Sequence, residues 1–139
     1  MTPSTENRQK LIEAAILARE SAYAPYSNFR VGASLLTKSG EIYTGCNVEN
    51  VSYGLTNCAE RVAIANAVSQ GERTFAGMAL CTSSAGTPCG ACRQVLAEFV
   101  ASDFPILITD PTGRIHREVT LHELLPDRFE LPNETPNDS

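Results

Sequence analysis

Apolar residues near the amino terminus recur at helical spacing. From Asn7 onward they fall three and four residues apart, and the pattern ends before Pro25, which predicts an amino-terminal helix. Two strand-like apolar runs follow at 30–36 and 41–46. The short turn between them contains Gly40, so the two runs predict a β-hairpin.

The rest of the chain alternates between the two patterns. Helical spacing predicts helices at 57–69 and 90–100, and a short helix at 122–125. Apolar runs predict strands at 75–82, 105–109 and 115–120. The order α-β-β-α-β-α-β-β-α predicts an α/β fold, a three-layer sandwich with a central mixed five-stranded sheet flanked by helices.

Length and composition narrow the class of protein. A chain of 139 residues with 42% hydrophobic residues has the size and composition of one globular domain. We assign this domain to residues 1–131 and expect the polar segment 132–139 to be a flexible tail. The net charge of −5 argues against nucleic-acid and membrane partners. Apolar runs too short to cross a bilayer and a polar amino terminus predict a soluble, cytoplasmic protein.

Five cysteines, an odd number, indicate free thiols or metal ligands rather than a disulfide framework. Cys46 and Cys81 lie in apolar strand-like runs, so both are predicted to be small buried side chains. The other three, Cys58, Cys89 and Cys92, stand at the starts of the two central predicted helices. At such positions a thiolate is stabilised by the positive end of the helix.

The spacing of these three cysteines predicts a metal site with an open position. Cys89 and Cys92 can reach one ion together, and a third thiolate from Cys58 leaves one tetrahedral position free, as in catalytic sites. Zinc is favoured by thiolate ligands, although residue types alone leave iron open. We expect Glu60 to move protons to and from the water at that position, and Arg61 to offset the charge of the sulfurs.

At this point several motifs together identify a family. The sequence closely resembles the small homotetrameric cytidine deaminases, and the resemblance covers nearly the whole chain. The matching segments are 26–33 (Tyr-Ser-Asn-Phe-Arg-Val-Gly-Ala), 44–50 (Thr-Gly-Cys-Asn-Val-Glu-Asn), 58–61 (Cys-Ala-Glu-Arg), 87–95 and 124–126. The resemblance implies that Cys58, Cys89 and Cys92 bind one Zn²⁺ per chain and that Glu60 is the proton shuttle.

The resemblance also implies a nucleoside site. Asn47 and Glu49 match the residues that hydrogen-bond the ribose, and Phe29 matches the aromatic that packs on the pyrimidine. The backbone of Ala59 and the carbonyl of Thr87 would recognise the edge of the base. Tyr53 and Phe129 are similar to residues that neighbouring subunits contribute across the interface of a homotetramer.

The implied reaction is hydrolytic deamination of cytidine and 2′-deoxycytidine in pyrimidine salvage. Water activated by the metal would add to C4 of the base, and ammonia would leave. Polar groups that bind the sugar hydroxyls would be left unpaired by free cytosine, so a nucleoside is favoured over the base. His116 and His122 lie outside every motif, and we assign them no catalytic role.

The chain departs from the usual family pattern at Val51, where a small alanine is common, and at Asn57, where an apolar residue is common. Three alternatives fit the sequence less well than a cytidine deaminase. A deaminase of antibiotic or modified nucleosides would lack the Asn47 and Glu49 pair. The net charge disfavours a nucleic-acid editing enzyme, and a structural zinc or thiol-redox module needs a fourth ligand or a resolving partner.

Overall fold

A computed structural model describes residues 3–131; the predicted tail at 132–139 lies outside the described residues. The strands are β1 (Gly32–Thr37), β2 (Ile42–Cys46), β3 (Phe75–Cys81), β4 (Pro105–Thr109) and β5 (Ile115–Thr120). They form a five-stranded mixed sheet with strand order β2-β1-β3-β4-β5, in which only β3 and β4 run parallel. The helices are α1 (Thr5–Arg19), α2 (Ala59–Ser69), α3 (Gly90–Phe99) and α4 (Leu121–Leu124), with one 3-10 turn at Tyr53–Leu55.

The predicted three-layer sandwich is confirmed, because alternate residues of the central strands pack on opposite faces of the sheet. In β3, Met78 and Leu80 belong to the core shared with α2 and α3, whereas Ala79 and Cys81 belong to the core shared with α1. The sheet is therefore buried on both faces. No helix among residues 3–131 is both long and apolar enough to cross a membrane.

Two glycines allow helices to lie directly against the sheet. A Cβ on Gly45 would lie 2.4 Å from the backbone nitrogen of Ala63 in α2, and one on Gly32 would lie 2.0 Å from the carbonyl oxygen of Ala15 in α1. Neither position has room for a side chain. The contact at Gly45 fixes α2 against the edge strand β2.

Element boundaries differ from the prediction by a few residues, and the differences have local causes. Ser4 caps α1 by accepting a hydrogen bond from the Asn7 backbone, so this helix starts two residues early. The first strand starts at Gly32 rather than at residue 30. Cys81 is buried as predicted, but Cys46 is only half-buried, so the prediction for Cys46 was wrong. Cys46 lies on the edge strand, whose outer side is covered by no other strand of residues 3–131.

Candidate active site

The three cysteines of the predicted metal site meet at the start of two helices. Cys58 is the N-cap of α2, Cys89 is the N-cap of α3, and Cys92 lies in the first turn of α3. The sulfur of Cys89 lies 4.0 Å from that of Cys58 and 3.4 Å from that of Cys92, and all three sulfurs lie within 4.8 Å of one another. We call these three residues the cysteine corner.

The cysteine corner fits a zinc ion. In a tetrahedral site with Zn–S bonds of about 2.3 Å, the sulfurs lie roughly 3.8 Å apart. The observed separations of 3.4 and 4.0 Å bracket that value. Two helix amino termini point at the sulfurs, and their partial positive charge favours thiolates. Three soft ligands of this kind suit zinc, and Cys58, Cys89 and Cys92 are the residues that would hold it.

The thiols differ in their affinity for protons. Hydrogen bonding from Cys92, and further bonding and charge from Arg61, lower the pKa of Cys58 to about 5. The pKa of Cys92 is raised, because its thiol bonds Cys58 and is buried. Of these two thiols, Cys58 therefore ionises more readily. Arg61 donates from Nη2 to the Cys58 Sγ over 3.5 Å and to the Thr56 carbonyl over 3.4 Å. The structure thus contains a hydrogen bond from Arg61 to a cysteine sulfur.

Glu60 lies beside the cysteine corner in the first turn of α2 and is 5% exposed. Burial raises the pKa of its carboxyl, and the neighbouring charge on Cys58 acts in the same direction. A carboxyl with a raised pKa gains and loses a proton closer to neutral pH than an exposed one. Glu60 thus has the burial and position that a proton carrier needs.

Both polar atoms of the Asn47 side chain form hydrogen bonds within the fold. Its Oδ1 accepts a hydrogen bond from the Val31 backbone at 2.9 Å, and its Nδ2 donates to the Phe29 carbonyl at 2.7 Å. The side chain is 7% exposed. Asn47 therefore holds the backbone on both sides of residue 30, which explains why β1 begins only at Gly32.

Glu49 holds the residues that precede Phe29 in the chain. Its Oε1 accepts hydrogen bonds from the backbones of Tyr26 (3.0 Å) and Ser27 (3.2 Å), and the Ser27 hydroxyl donates to its Oε2. This hydroxyl contributes most to lowering the pKa of Glu49. We call residues 24–31 the Phe29 loop. Asn28 within it has a left-handed backbone with φ 58°, a conformation that asparagine tolerates better than most residues.

The aromatic residues predicted to bind substrate are exposed in the single chain. Phe29 is 42% exposed, Tyr53 69% and Phe129 69%. Tyr53 lies in the 3-10 turn and contacts Tyr26 edge to face, with ring centroids 6.1 Å apart. Phe129 lies in the segment after α4. Exposed aromatics of this kind are typical of surfaces that bind a ligand or another chain.

The two backbone groups predicted to recognise the base lie at the two helix starts. Ala59 occupies the first position of α2, where a backbone N–H has no partner within its own helix. Thr87 lies two residues before Cys89, and its hydroxyl accepts a hydrogen bond from Arg93 at 3.0 Å. The two departures from the family pattern lie outside the cysteine corner: Val51 is 75% exposed, and Asn57 pairs through its backbone with Val48.

Sequence reasoning missed two residues that shape this site. Ser27 binds Glu49, and Arg93 binds three groups around the loop that leads into α3. Both residues lie inside matched motifs, but the acceptors of Arg93 include Leu124, 31 residues away. Proximity in sequence gives no signal for such a contact.

A buried carboxyl and three thiols at paired helix starts, on a helix-flanked mixed sheet, are the features of a zinc-dependent deaminase. Residues 5–108 match the family model described as the cytidine and deoxycytidylate deaminase zinc-binding region. Over 123 residues the chain is 50% identical to the cytidine deaminase of Sporosarcina psychrophila, covering 87% of this chain and 90% of that protein. The chain belongs to the cytidine deaminase family, whose function is the hydrolytic deamination of cytidine.

Solved structures agree with this assignment. The crystal structure of cytidine deaminase from Burkholderia pseudomallei superposes with a TM-score of 0.83 at 47% identity, covering 91% of this chain and all of that one. The cytidine deaminase from Mycobacterium tuberculosis gives a TM-score of 0.80 at 40% identity, covering 93% of this chain and all of the other. The predicted fold and the predicted family are both confirmed.

Proposed function

We propose that this protein converts cytidine and 2′-deoxycytidine to uridine and 2′-deoxyuridine with release of ammonia, using one zinc ion held by Cys58, Cys89 and Cys92. The observation that carries the proposal is the buried carboxyl of Glu60 beside three sulfurs spaced for one ion. A zinc ion with these ligands would supply a Lewis acid with one position open to water.

Glu60 is the proton carrier in this proposal. Its carboxylate takes one proton from the attacking water and gives it to N3 of the base. It then takes the remaining proton of the same oxygen and gives it to the amino group, which leaves as ammonia. Burial favours the protonated form of the carboxyl, which makes Glu60 a competent acid after it has acted as the base. Arg61 supports the reaction by donating to the Cys58 sulfur, because three thiolates would otherwise weaken the Lewis acid.

Asn47, Glu49 and Phe29 form the sugar and base contacts in this proposal. Glu49 has an ionised carboxylate, since its pKa is lowered, and an ionised carboxylate accepts hydrogen bonds from sugar hydroxyls. Phe29 offers an exposed ring to the pyrimidine. The N–H of Ala59 and the carbonyl of Thr87 are a donor and an acceptor suited to the edge of cytosine.

We further propose that the protein is a homotetramer whose sites are shared between subunits, with Tyr53 and Phe129 contributed by neighbours. The supporting observation is a set of large apolar side chains exposed in the single chain, including Val51 (75%), Tyr53 (69%) and Leu55 (67%). Exposed apolar groups this close in sequence are typical of interfaces. Sedimentation at one chain mass, about 15 kDa, would contradict the tetramer.

A role in pyrimidine salvage within the cytoplasm follows from the proposed reaction and from the cysteines. All five cysteines of the chain are unpaired, and free thiols persist in a reducing compartment such as the cytosol. We also assign residues 1–131 to a single domain, because the sheet and all four helices share its two adjoining cores.

The proposed function is tested by following the loss of cytosine ultraviolet absorbance with cytidine, 2′-deoxycytidine and free cytosine, with zinc measured in the same sample. We expect one zinc per chain, turnover of both nucleosides, and much slower turnover of cytosine. If zinc is bound and neither nucleoside reacts, the substrate assignment is wrong, and antibiotic or modified nucleosides should be tried. A protein without zinc would contradict the metal site itself.

A further inference from the structure

Arg93 makes an unusual set of contacts next to the cysteine corner. Its Nε donates to the Pro88 carbonyl at 2.7 Å, its Nη1 donates to the Leu124 carbonyl at 2.7 Å, and its Nη2 donates to the Thr87 hydroxyl at 3.0 Å. All three nitrogens of the guanidinium are therefore engaged. Two of the acceptors lie immediately before Cys89, and the third ends α4.

Thr87 and Pro88, which Arg93 binds, make few hydrogen bonds, although the Pro88 ring is fully buried. Pro88 has no backbone N–H, and every hydrogen bond of Thr87 and Pro88 among residues 3–131 is made with Arg93. Upstream, Ala85 has a left-handed backbone with φ 53°, which costs an alanine free energy. Thr82 accepts hydrogen bonds from the Ala85 and Gly86 backbones, and burial fixes the Pro88 ring. The Thr87 hydroxyl and the Pro88 carbonyl are left for Arg93 to orient.

We infer that Arg93 is a positioning residue that sets the Thr87 carbonyl toward the base and the Cys89 sulfur toward the metal, an inference that rests on the proposed function. Arg93 touches neither group. It acts through the residues next to them. Arg93 binds the hydroxyl of Thr87 itself, and it binds the carbonyl of Pro88, which directly precedes Cys89. The bond to Leu124 anchors the guanidinium to α4, so the segment is set relative to the core.

Only arginine can make this set of contacts. A planar guanidinium donates in three directions at once, whereas a lysine ammonium is a single point on a flexible chain. Lysine at position 93 keeps the charge but can reproduce only part of the geometry. Glutamine loses the charge and the fork together. Arg93→Gln should therefore disturb the position of Thr87 and Cys89 more than Arg93→Lys does.

The experiment compares the zinc-loaded wild-type protein with Arg93→Gln and Arg93→Lys in two assays. The first is the rate of zinc release to a chromogenic chelator at 25 °C, and the second is KM and kcat for cytidine. Removing groups that orient metal ligands typically costs 10- to 100-fold in affinity or activity. We expect Arg93→Gln to release zinc about 10- to 100-fold faster and to raise KM about tenfold, with Arg93→Lys at least about fivefold faster in zinc release.

Arg8→Gln is the matched control. The Arg8 side chain is 23% exposed and forms an ion pair with Glu118 at 2.8 Å. Unlike Arg93, it lies on α1. This variant should release zinc and bind cytidine like the wild type, even if it melts earlier. Wild-type zinc release and KM in both Arg93 variants, with only a lowered melting temperature, would reduce Arg93 to a structural residue and overturn the inference.

Two further outcomes remain decisive. If Arg93→Gln does not fold, Arg93→Lys carries the test alone, and wild-type zinc release in that variant would overturn the inference. If the wild-type protein binds zinc but does not deaminate cytidine, the proposed function fails, while the zinc-release comparison still decides whether Arg93 positions Cys89.

Discussion

The cysteine corner and the Phe29 loop belong to one site in the proposed function, but they are built differently. The cysteines lie at the N-caps of α2 and α3 and in the first turn of α3, and the apolar core beneath holds both helices. The Phe29 loop has no regular structure, and the side chains of Asn47 and Glu49 hold it in place. Ligands on regular elements are fixed by the fold, whereas a binding loop must be fixed by polar contacts of its own.

This difference has a consequence for how the two regions respond to substitution. A change at Cys58 or Cys89 should remove metal or turnover and leave the fold intact, because neither N-cap cysteine bonds its helix through the side chain. A change in the Phe29 loop should alter substrate affinity and stability together, since the same groups serve both. The following substitutions test that distinction.

The largest effect is expected at Glu60. Glu60→Gln keeps the size and burial of the side chain but cannot carry a proton, so kcat should fall by about 10²- to 10⁴-fold. Zinc content should stay near one per chain, and the melting temperature should not fall. Steady-state kinetics with metal analysis of the same samples measure this, and Glu98→Gln, an exposed carboxyl on α3, is the control. Unchanged turnover in Glu60→Gln would remove Glu60 from the mechanism.

The next effect is loss of the metal. Cys89→Ser should lower zinc affinity by more than about 100-fold, because even partners outside the ligand set are worth 10- to 100-fold. Cys46→Ser is the matched control, since Cys46 is a half-buried thiol outside the cysteine corner. Competition with a chelator of known affinity gives the zinc dissociation constants. Equal affinities in the two variants would show that Cys89 is not a ligand.

The contrast between the regions also explains what the sequence could predict. Apolar periodicity and the spacing of Cys58, Cys89 and Cys92 depend on local sequence, so the helix starts and the cysteine corner were predicted within two residues. The fold class was predicted because each strand and helix has its own pattern. The half-buried state of Cys46 was missed, because exposure depends on which strand lies at the sheet edge.

The loop contacts could not be predicted in the same way. The 3-10 turn at Tyr53–Leu55 has no periodic pattern of its own. The bonds from Asn47 to Phe29 and Val31 join segments 16 to 18 residues apart, and those of Arg93 reach Leu124. The resemblance assigned Asn47 and Glu49 to the ribose but gave no sign that both residues also hold the Phe29 loop.

Asn47→Ala tests this double role. The substitution leaves the Val31 N–H without its acceptor in a buried place, which should cost about 1–3 kcal/mol in the free energy of unfolding. KM for cytidine should rise in the same variant, because the Phe29 loop loses its anchor. Urea denaturation and steady-state kinetics measure the two effects.

Asn66→Ala is the control for Asn47→Ala. Asn66 is exposed and donates a single bond to the Thr44 carbonyl at 3.3 Å, so its loss should cost less than about 0.5 kcal/mol and leave KM unchanged. A raised KM without any loss of stability in Asn47→Ala would mean that Asn47 serves the substrate alone. The distinction between the two regions would then fail.

The smallest effect is expected at Ser27, and it depends on pH. The Ser27 hydroxyl is the main cause of the lowered pKa of Glu49, so Ser27→Ala should return that pKa toward its ordinary value of 4.5. A carboxyl with a lowered pKa stabilises the folded state above its ordinary pKa, and the stabilisation is lost as pH falls through the folded pKa. Above about pH 5, the urea midpoint of the wild type should therefore exceed that of Ser27→Ala by the largest difference.

Below pH 4.5 the difference in urea midpoint should narrow. Protonation of Glu49 weakens its hydrogen bond with the Ser27 hydroxyl in the wild type, and this bond is already absent from Ser27→Ala. A constant part remains, since the Ser27 hydroxyl also accepts a bond from the Phe29 backbone at 3.0 Å, and no carboxyl takes part in that bond. Ser69→Ala is the control. Within the described part of the chain the Ser69 hydroxyl bonds only the Asn66 carbonyl, so the effect of this substitution should not vary with pH. A pH-independent difference for Ser27→Ala would show that Glu49 does not secure the loop through its charge.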